Sequence, residues 1–200
     1  MTRRDTRTLL LKAAVRTIDE GGETHLNVHA VAKEAGVTVP SVYHFFGSRE
    51  GLVEEAQAFR FEHGMKVVAL ALDEALARAT TKRKYQMVIK DWLAGISGAH
   101  ANGEFRKIRG TVLASAATNK NLAKRVTSIQ ENHVKRIAGY LRYGIERGWI
   151  DSDLDIEAII YWVISQLNGR LIVEIDPKKK FAKRWNELFL ESVNHALRFD

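Results

Sequence analysis

The stretch VHAVAKEAGVTVPSVYHFF, residues 28–46, decides the fold that we predict for this chain. Its first half places small and apolar side chains at helical spacing, at Val28, Val31, Ala32 and Ala35. Gly36 follows at once, where a chain leaving a helix needs a positive φ and no Cβ. The second half begins with Thr38, an N-cap type of residue, and Pro40, which suits a first helical turn. The stretch therefore predicts two short helices joined by a tight turn.

The second of these helices would bury Val42 and Phe46 and turn a mixed face outward. That outward or partly outward face carries Val39, Pro40, Ser41, Tyr43 and His44. Two crossed short helices with such a face are typical of a helix-turn-helix, whose second helix enters the DNA major groove. The alternative is an ordinary corner in an all-helical core. That alternative explains Gly36, but it does not explain an outward Tyr43 beside His44.

The residues around this motif carry a family resemblance. The run LNVHAVAKEAGVTVPSVYHFFGSREGLV resembles the DNA-binding domain of the TetR family of transcriptional regulators. The marks of the resemblance are Ala32, Ala35-Gly36-Val37, Tyr43, Phe46, Ser48-Arg49-Glu50 and Leu52. Arg49 stands where the family usually has Lys, and it keeps the positive charge. The resemblance covers about the first fifty-five residues; beyond residue 60 it extends only to size and helical pattern.

Length and composition indicate the fold class. The chain has 200 residues, 46% of them hydrophobic, with 2 prolines and no cysteine. We predict an all-α protein with an N-terminal three-helix helix-turn-helix domain joined to a larger C-terminal helical bundle, with about nine helices in total. The predicted domains are residues 1–50 for DNA binding and residues 51–200 for ligand binding and dimerisation. The lack of cysteine excludes disulfides, thiolate zinc sites and cysteine nucleophiles.

The charge distribution favours contact with phosphate at the N-terminus. The net charge is +7, and residues 1–16 carry five basic side chains against the single acidic residue Asp5. Five more cations cluster at residues 178–184, where a solvated face, an acidic partner and flanking DNA all stay open as explanations. No apolar run is long enough for a signal peptide or a membrane span. We therefore expect a cytoplasmic protein with no membrane partner.

Nine residues are candidates for DNA contacts: Arg4, Thr24, Thr38, Val39, Pro40, Ser41, Tyr43, His44 and Arg49. Val39 and Pro40 can pack against thymine methyl groups, whereas the hydroxyl side chains can reach phosphates or base edges. Tyr43 and Arg49 are placed for phosphates, and Arg4 for the minor groove or flanking phosphates. The family resemblance supports the assignment of Tyr43.

The C-terminal region offers softer support for a ligand site. The resemblance implies a small-molecule effector there, and the sequence supplies aromatic and polar candidates at Phe59, Tyr85, Trp92, Phe105, His133, Tyr140, Trp162, Gln166 and Arg170. An effector held by them would be partly apolar. The alternative is that these side chains belong to the helical core, which is the commoner use of an aromatic residue at helical spacing.

The last two predicted helices favour a homodimer. The first of them is apolar on more than one face, because Ile159, Tyr161, Trp162 and Ile164 lie off its main stripe. A four-helix interface with a second copy would cover them, which the resemblance also implies. A monomer that buries both helices is the alternative. Two-fold symmetry would match a palindromic operator whose half-sites lie about 34 Å apart.

These observations predict a sequence-specific transcriptional regulator. It would be a repressor that binds double-stranded operator DNA as a dimer and is released by a small-molecule effector. The alternative is a DNA-binding regulator or architectural protein with no effector. We expect no enzyme activity and no cofactor, because the sequence has no Gly-rich phosphate loop and no nucleophile elbow. We also expect no metal, because His25 and His29 lack further ligands nearby.

Overall fold

The computed structural model describes residues 3–199, except for the side chains of residues 4, 66–71, 74 and 99–102. The side chain of Arg4, a predicted DNA contact, therefore lies outside the described residues. Within that range the chain forms nine helices of seven residues or more and no strand. The all-α prediction and the number of helices are confirmed.

The helices follow one another with short connections. They are α1 Arg3–Gly21, α2 Val28–Glu34, α3 Val39–Phe46, α4 Arg49–Leu76, α5 Lys82–Ser97, α6 Ala99–Thr118, α7 Lys120–Glu146, α8 Ile156–Gly169, α9 Leu171–Glu174 and α10 Ala182–Ala196. A 3-10 turn at Glu23–His25 precedes α2, and α9 is a single turn.

The chain forms two compact units. The first unit comprises Met1–Glu62 and Val112–Val126, and the second comprises His63–Thr111 and Thr127–Asp200. Helices α4, α6 and α7 contribute residues to both units. The domain boundary between residues 50 and 51 stays a prediction.

The first unit is built around the apolar face of α1. Leu10, Ala14 and Ile18 lie at helical spacing and are buried in one core with Val42 and Leu52. The segment Val112–Val126 joins this unit through polar contacts to α4. Glu54 Oε1 accepts hydrogen bonds from Asn119 Nδ2 at 3.0 Å and from Asn121 Nδ2 at 3.4 Å. Since Glu54 itself is buried, these bonds fix the α6–α7 corner to α4.

Helix α4 runs from Arg49 to Leu76 without ending at Gly64. A bend or break at Gly64 would follow from the low helix propensity of glycine, yet the helix continues through it. The reason lies in packing inside the second unit, where a Cβ on Gly64 would come within 2.6 Å of the Phe105 ring. The glycine therefore serves close approach between α4 and α6 rather than a hinge.

The core of the second unit is formed by α5, α7, α8 and α10, together with the end of α4. Tyr85 is fully buried there, and its hydroxyl donates a hydrogen bond to the Tyr140 carbonyl at 3.0 Å. In the described part of the chain, the segment Ile156–Glu174 has the length and composition that would allow a helix to cross a membrane. Only 22% of this apolar segment is buried, so much of its apolar surface faces outward.

Candidate functional site

The corner between α2 and α3 has the geometry expected of a helix-turn-helix. Asn27 caps α2, since its Oδ1 accepts hydrogen bonds from the backbone N–H groups of His29 and Ala30 at 2.9 and 3.1 Å. Gly36 has a φ of 67°, and Val37 N donates back to the Ala32 carbonyl at 3.0 Å. Gly36 N also donates to the Lys33 carbonyl at 3.1 Å, and these two backbone bonds form a Schellman motif, which ends α2 and turns the chain towards α3.

Helix α3 buries one side and exposes the other. Val42 and Phe46 belong to the core of the first unit, as predicted from their spacing. Tyr43 is 47% exposed, and Pro40 and His44 are exposed with it. Thr38 occupies the N-cap position without a side-chain cap bond. The face that would enter a DNA groove is therefore open.

The remaining predicted contacts of α3 lie at its first turn. Thr38 Oγ1 and Ser41 Oγ are 3.1 Å apart, so the two hydroxyls pair with each other and remain beside the helix N-terminus. Val39 is only half-buried and packs against the core of the first unit. Thr24 lies in the turn before α2, where it is exposed. The contacts of all these residues with DNA stay predictions.

Arg49 is tied to its own unit by two hydrogen bonds. Its Nε donates to the Leu26 carbonyl at 2.9 Å, and its Nη2 donates to the Glu23 carbonyl at 2.6 Å. The first turn of α4 is thereby fixed to the 3-10 turn that precedes α2. The predicted phosphate contact of Arg49 would have to be made by the part of the guanidinium that these carbonyls do not occupy.

Replacing Arg49 by Ala is expected to lower the free energy of unfolding by about 1 kcal/mol, because two backbone carbonyls at a partly exposed site lose a charged donor. Arg49→Lys should retain only part of this stability. It keeps a charged donor, but an ammonium cannot reach both carbonyls as the guanidinium fork does. Urea unfolding followed by circular dichroism measures the effect, with Lys12→Ala, an exposed cation on α1, as the matched control. Equal stability of Arg49→Ala and the control would contradict this role.

The second unit contains a cavity of about 100 Å³. Side chains of α4, α5, α6, α7, α8 and the end of α10 line it, and most of them are aliphatic or aromatic. For comparison, an apolar cavity of about 150 Å³ can hold a benzene-sized molecule. The polar lining residues are Arg106, Arg109, His133, Tyr140 and Asn168.

Four of the predicted ligand-binding residues line this cavity: Trp92, Phe105, His133 and Tyr140. The other five lie elsewhere: Phe59, Tyr85, Trp162, Gln166 and Arg170. Phe59 packs against the core of the first unit, and Tyr85 contacts the rings of Tyr143 and Trp149. Arg170 is fully buried against Glu174 and Trp185, whereas Trp162 lies on an exposed face of α8. Sequence reasoning did not single out Arg106 or Arg109.

Two arginines behave differently at the polar end of the cavity. Arg106 is fully engaged within the protein, since it pairs with Glu174 and donates to the carbonyls of Ile96 and Gly98 at 3.0 and 2.9 Å. Arg109 Nε donates to Asn168 Oδ1 at 3.1 Å. Burial lowers the pKa of Arg109 to about 10, which leaves it charged at neutral pH.

His133 should make the stability of the protein depend on pH. Burial, with the charges of Arg109 and Arg136, lowers the pKa of His133 from 6.5 to about 4. As pH falls below 6.5, His133 is protonated in the unfolded chain but stays neutral in the folded chain. The folded state therefore loses stability between pH 6.5 and pH 4. The loss attributable to His133 should approach about 3 kcal/mol at most. Unfolding titrations of His133→Gln should be flatter over this interval; an identical pH dependence would contradict the assignment.

The outer faces of α8 and α10 form a shallow groove, lined by Ala158, Ile159, Trp162, Glu191, Ser192, His195 and Ala196. Trp162 is 37% exposed in it, and the neighbouring Tyr161 is exposed as well. Leu188 lies one turn before Ser192 on α10 and is also exposed. The described residues thus present an apolar surface on the two helices predicted to form a dimer.

Two further candidates from the sequence are a metal site and the basic cluster at residues 178–184. Among the described residues, no group of three or more His, Cys, Asp or Glu side chains could hold a metal ion. The cations of the 178–184 cluster are exposed, and Arg184 contacts Glu187 and Glu191 at 3.2 and 3.3 Å. The carboxylates raise the pKa of Arg184, as expected for a solvated ion pair.

Comparison with known proteins matches the same N-terminal region that contains the helix-turn-helix. Residues 10–56 match the family model described as bacterial regulatory proteins, tetR family. The chain is 26% identical over 147 residues to the fatty acid metabolism regulator protein of Bacillus subtilis (strain 168), covering 74% of this chain and 72% of that protein. It is 36% identical over 69 residues to the HTH-type transcriptional regulator BetI of Stenotrophomonas maltophilia (strain R551-3). The BetI match covers 34% of this chain and 31% of that relative.

Solved structures share the whole fold. A TetR-family transcriptional regulator from Rhodococcus sp. superimposes with a TM-score of 0.70 at 21% identity, covering 97% of this chain and 99% of that one. The regulator FadR from Bacillus subtilis, solved in complex with stearoyl-CoA, gives a TM-score of 0.57 at 20% identity. That match covers 92% of this chain and 97% of FadR. At these identities the likeness concerns the fold.

Proposed function

Because the chain belongs to the TetR family of bacterial DNA-binding transcription regulators, we propose that it is a dimeric repressor whose operator is released by a small-molecule effector. The observation that carries the proposal is the open face of α3, with Tyr43 and His44 exposed on a helix whose opposite side is buried. Such a regulator would act in the cytoplasm, where bacterial DNA lies. The relatives named above are regulators, which supports a regulatory rather than an enzymatic role.

The DNA contact is assigned to α3 and the turns that flank it. Pro40 would meet base methyl groups, and Tyr43 would donate to a phosphate. The paired hydroxyls of Thr38 and Ser41 lie at the N-terminus of α3, where the helix dipole favours an anion. Arg49 would contribute chiefly by holding α2 and α4 together, so that α3 is presented rigidly.

The dimer is assigned to α8 and α10. Their shallow groove and the exposed apolar surface of Ile156–Glu174 need a cover, because large exposed apolar patches mark interaction sites. A lipid bilayer would suit this segment less well than a second copy would. Glu157 pairs with Arg142 at 2.8 Å, and Arg170 is fully buried within the protein. Both features match a helix that packs on other helices.

The effector is assigned to the cavity of the second unit. The cavity has a mostly apolar wall with a few polar groups, which is typical of small-molecule binding sites. FadR binds stearoyl-CoA in the structure named above. Release would follow if the effector bound more tightly to a state in which the two α3 helices no longer fit successive major grooves. Helices α4 and α6 contribute residues to both units and would carry such a change.

A gel-shift assay tests the proposal. The DNA flanking the protein's own coding region is searched for an inverted repeat, and the purified protein is titrated against it and against a scrambled repeat. Addition of a broad panel of small molecules then tests release. We expect selective binding of the repeat and its reversal by one class of compound. Selective binding without release by any compound would favour a regulator that has no effector.

A further inference from the structure

We propose that residues 172–183, which we call the basic turn, bind the surface of an anionic lipid bilayer. The apolar side chains of the basic turn enter the headgroup layer, and four of its lysines contact lipid phosphates. This contact goes beyond the function proposed above and involves neither the effector nor the operator. It would also explain most of the basic cluster at residues 178–184, to which that function gives no role.

The basic turn carries protruding apolar side chains. Among the described residues, the three most exposed large apolar side chains are Ile172, Ile175 and Phe181, with exposed fractions of 75%, 72% and 61%. Ile172 lies on α9 and Ile175 at its C-cap, one helical turn later, so the two share a face. Other residues line the groove assigned to the dimer. Neighbouring apolar side chains with this exposure mark an interaction surface.

The backbone of the basic turn is held by hydrogen bonds. The Asp176 carboxylate accepts from the N–H groups of Lys178 and Lys180 at 2.9 and 3.4 Å. The Asp176 carbonyl accepts from Lys179 N, and the Lys179 carbonyl accepts from Ala182 N, both at 3.0 Å. The surface is therefore formed before it meets a partner, which lowers the entropic cost of binding.

The acidic side chains of this region are engaged, whereas most of its cations are not. Glu174 pairs with Arg106 and Arg170 in the interior, and Asp176 caps the turn. Arg184 contacts two glutamates of α10. In the part of the chain that the structure describes, no carboxylate pairs with the remaining four cations, Lys178, Lys179, Lys180 and Lys183. The basic turn thus presents a net positive charge.

Positive charge next to an apolar ring is typical of segments that lie on membranes. Lys180 Nζ is 5.2 Å from the centre of the Phe181 ring. Membrane-surface segments combine lysine with phenylalanine and aliphatic side chains, since a lysine stem can lie along the apolar layer while its ammonium group reaches a phosphate. An anionic bilayer attracts each such lysine electrostatically.

Other partners fit the basic turn less well. Interfaces between proteins are depleted in lysine, and side chains that protrude line no groove for a partner peptide. The DNA backbone offers phosphates but no apolar layer for Ile175 and Phe181. A second copy that met this surface across a two-fold axis would place the same lysines against each other. The expectation of no membrane partner rested on the lack of a long apolar run, which a surface contact does not require.

Co-sedimentation of the full-length protein with vesicles tests the proposal. The vesicles consist of phosphatidylcholine alone, or of equal parts phosphatidylcholine and phosphatidylglycerol. We expect binding to the anionic vesicles only, with an affinity that falls as salt is added. Circular dichroism confirms that each variant is folded.

The double variant Lys178→Gln, Lys180→Gln should weaken vesicle binding about 10- to 30-fold, because each lysine near an anionic surface contributes about fivefold. The matched control is Lys120→Gln, Lys124→Gln, which removes the same charge from exposed positions on α7. This control should lose little affinity, since its lysines lie outside the basic turn.

Phe181→Ser should weaken vesicle binding about tenfold or more, because the ring no longer leaves water for the headgroup layer. Met87→Ser, at an exposed apolar residue on α5, is the control and should bind like the unaltered protein.

Equal binding to both kinds of vesicle, or binding to neither, would overturn the proposal. So would variants of the basic turn that bind anionic vesicles as tightly as their controls. A loss of dimer in these variants by ultracentrifugation would show that a second copy covers the surface, and a loss of affinity for scrambled duplex with unchanged vesicle binding would show a DNA contact; either result overturns it. Operator binding should stay unchanged in all of them, so the proposed function is tested separately.

Discussion

Replacing Trp162 by Glu is expected to make the protein monomeric and to lower its operator affinity by about a hundredfold or more. Trp162 lies in the groove between α8 and α10, where a second copy would cover it. In a two-fold interface the new carboxylate appears twice and is removed from water in a groove that already holds the carboxylate of Glu191. A monomer reads one half-site only, so the gain from binding two half-sites at once disappears.

Analytical ultracentrifugation and gel shifts on the same samples measure this effect. Leu188→Glu, on the adjoining face of α10, should behave like Trp162→Glu. Met87→Glu is the matched control, because Met87 is an exposed apolar residue on α5, outside the groove. A Trp162→Glu protein that remains dimeric, together with a dimeric Leu188→Glu protein, would place the interface elsewhere.

Replacing Tyr43 by Ala is expected to lower operator affinity about 10- to 100-fold for every sequence tested, because a hydrogen bond to a phosphate is lost. Tyr43→Phe removes the hydroxyl alone and should account for most of the loss. The slope of log affinity against log salt should stay nearly unchanged, since Tyr43 carries no charge to exchange for counterions. Pro40→Ala should differ from both by changing which operator is preferred.

Met87→Ala is the control for the Tyr43 variants. Met87 is 53% exposed, close to the 47% of Tyr43, but it lies on α5, away from α3 and from the groove between α8 and α10. Fluorescence anisotropy with a labelled operator and a scrambled duplex gives the affinities. Unchanged operator affinity of Tyr43→Phe and Tyr43→Ala would remove Tyr43 from the interface.

The helix-turn-helix could be predicted because its determinants are local. Asn27 caps the helix that starts at the next residue, and Gly36 takes the positive φ within the same corner. The inward positions of Val42 and Phe46 follow from helical spacing alone. Arg49 was harder to interpret, because its carbonyl partners lie more than twenty residues earlier in the chain. A basic residue at a helix start suggested phosphate, whereas the fold uses it first for internal support.

The cavity could be predicted only in part. Helical spacing shows that an aromatic side chain faces inward, but it does not separate a packed core from a cavity wall. Trp92 and Tyr85 occupy similar positions on α5, yet only Trp92 lines the cavity. Arg109 and Asn168 are brought together by the packing of α6 and α8, fifty-nine residues apart in the chain. Such long-range pairs leave no local pattern in the sequence.

The most direct test of the account is a hydroxyl-radical footprint on DNA fragments that the purified protein selects from a genomic library. If α3 reads DNA as one half of a two-fold dimer, the selected fragments share an inverted repeat, and protection falls in two symmetric patches centred about 10 base pairs, or a multiple of that distance, apart. Recovery of fragments without a shared sequence, or a single asymmetric patch of protection, would contradict the account.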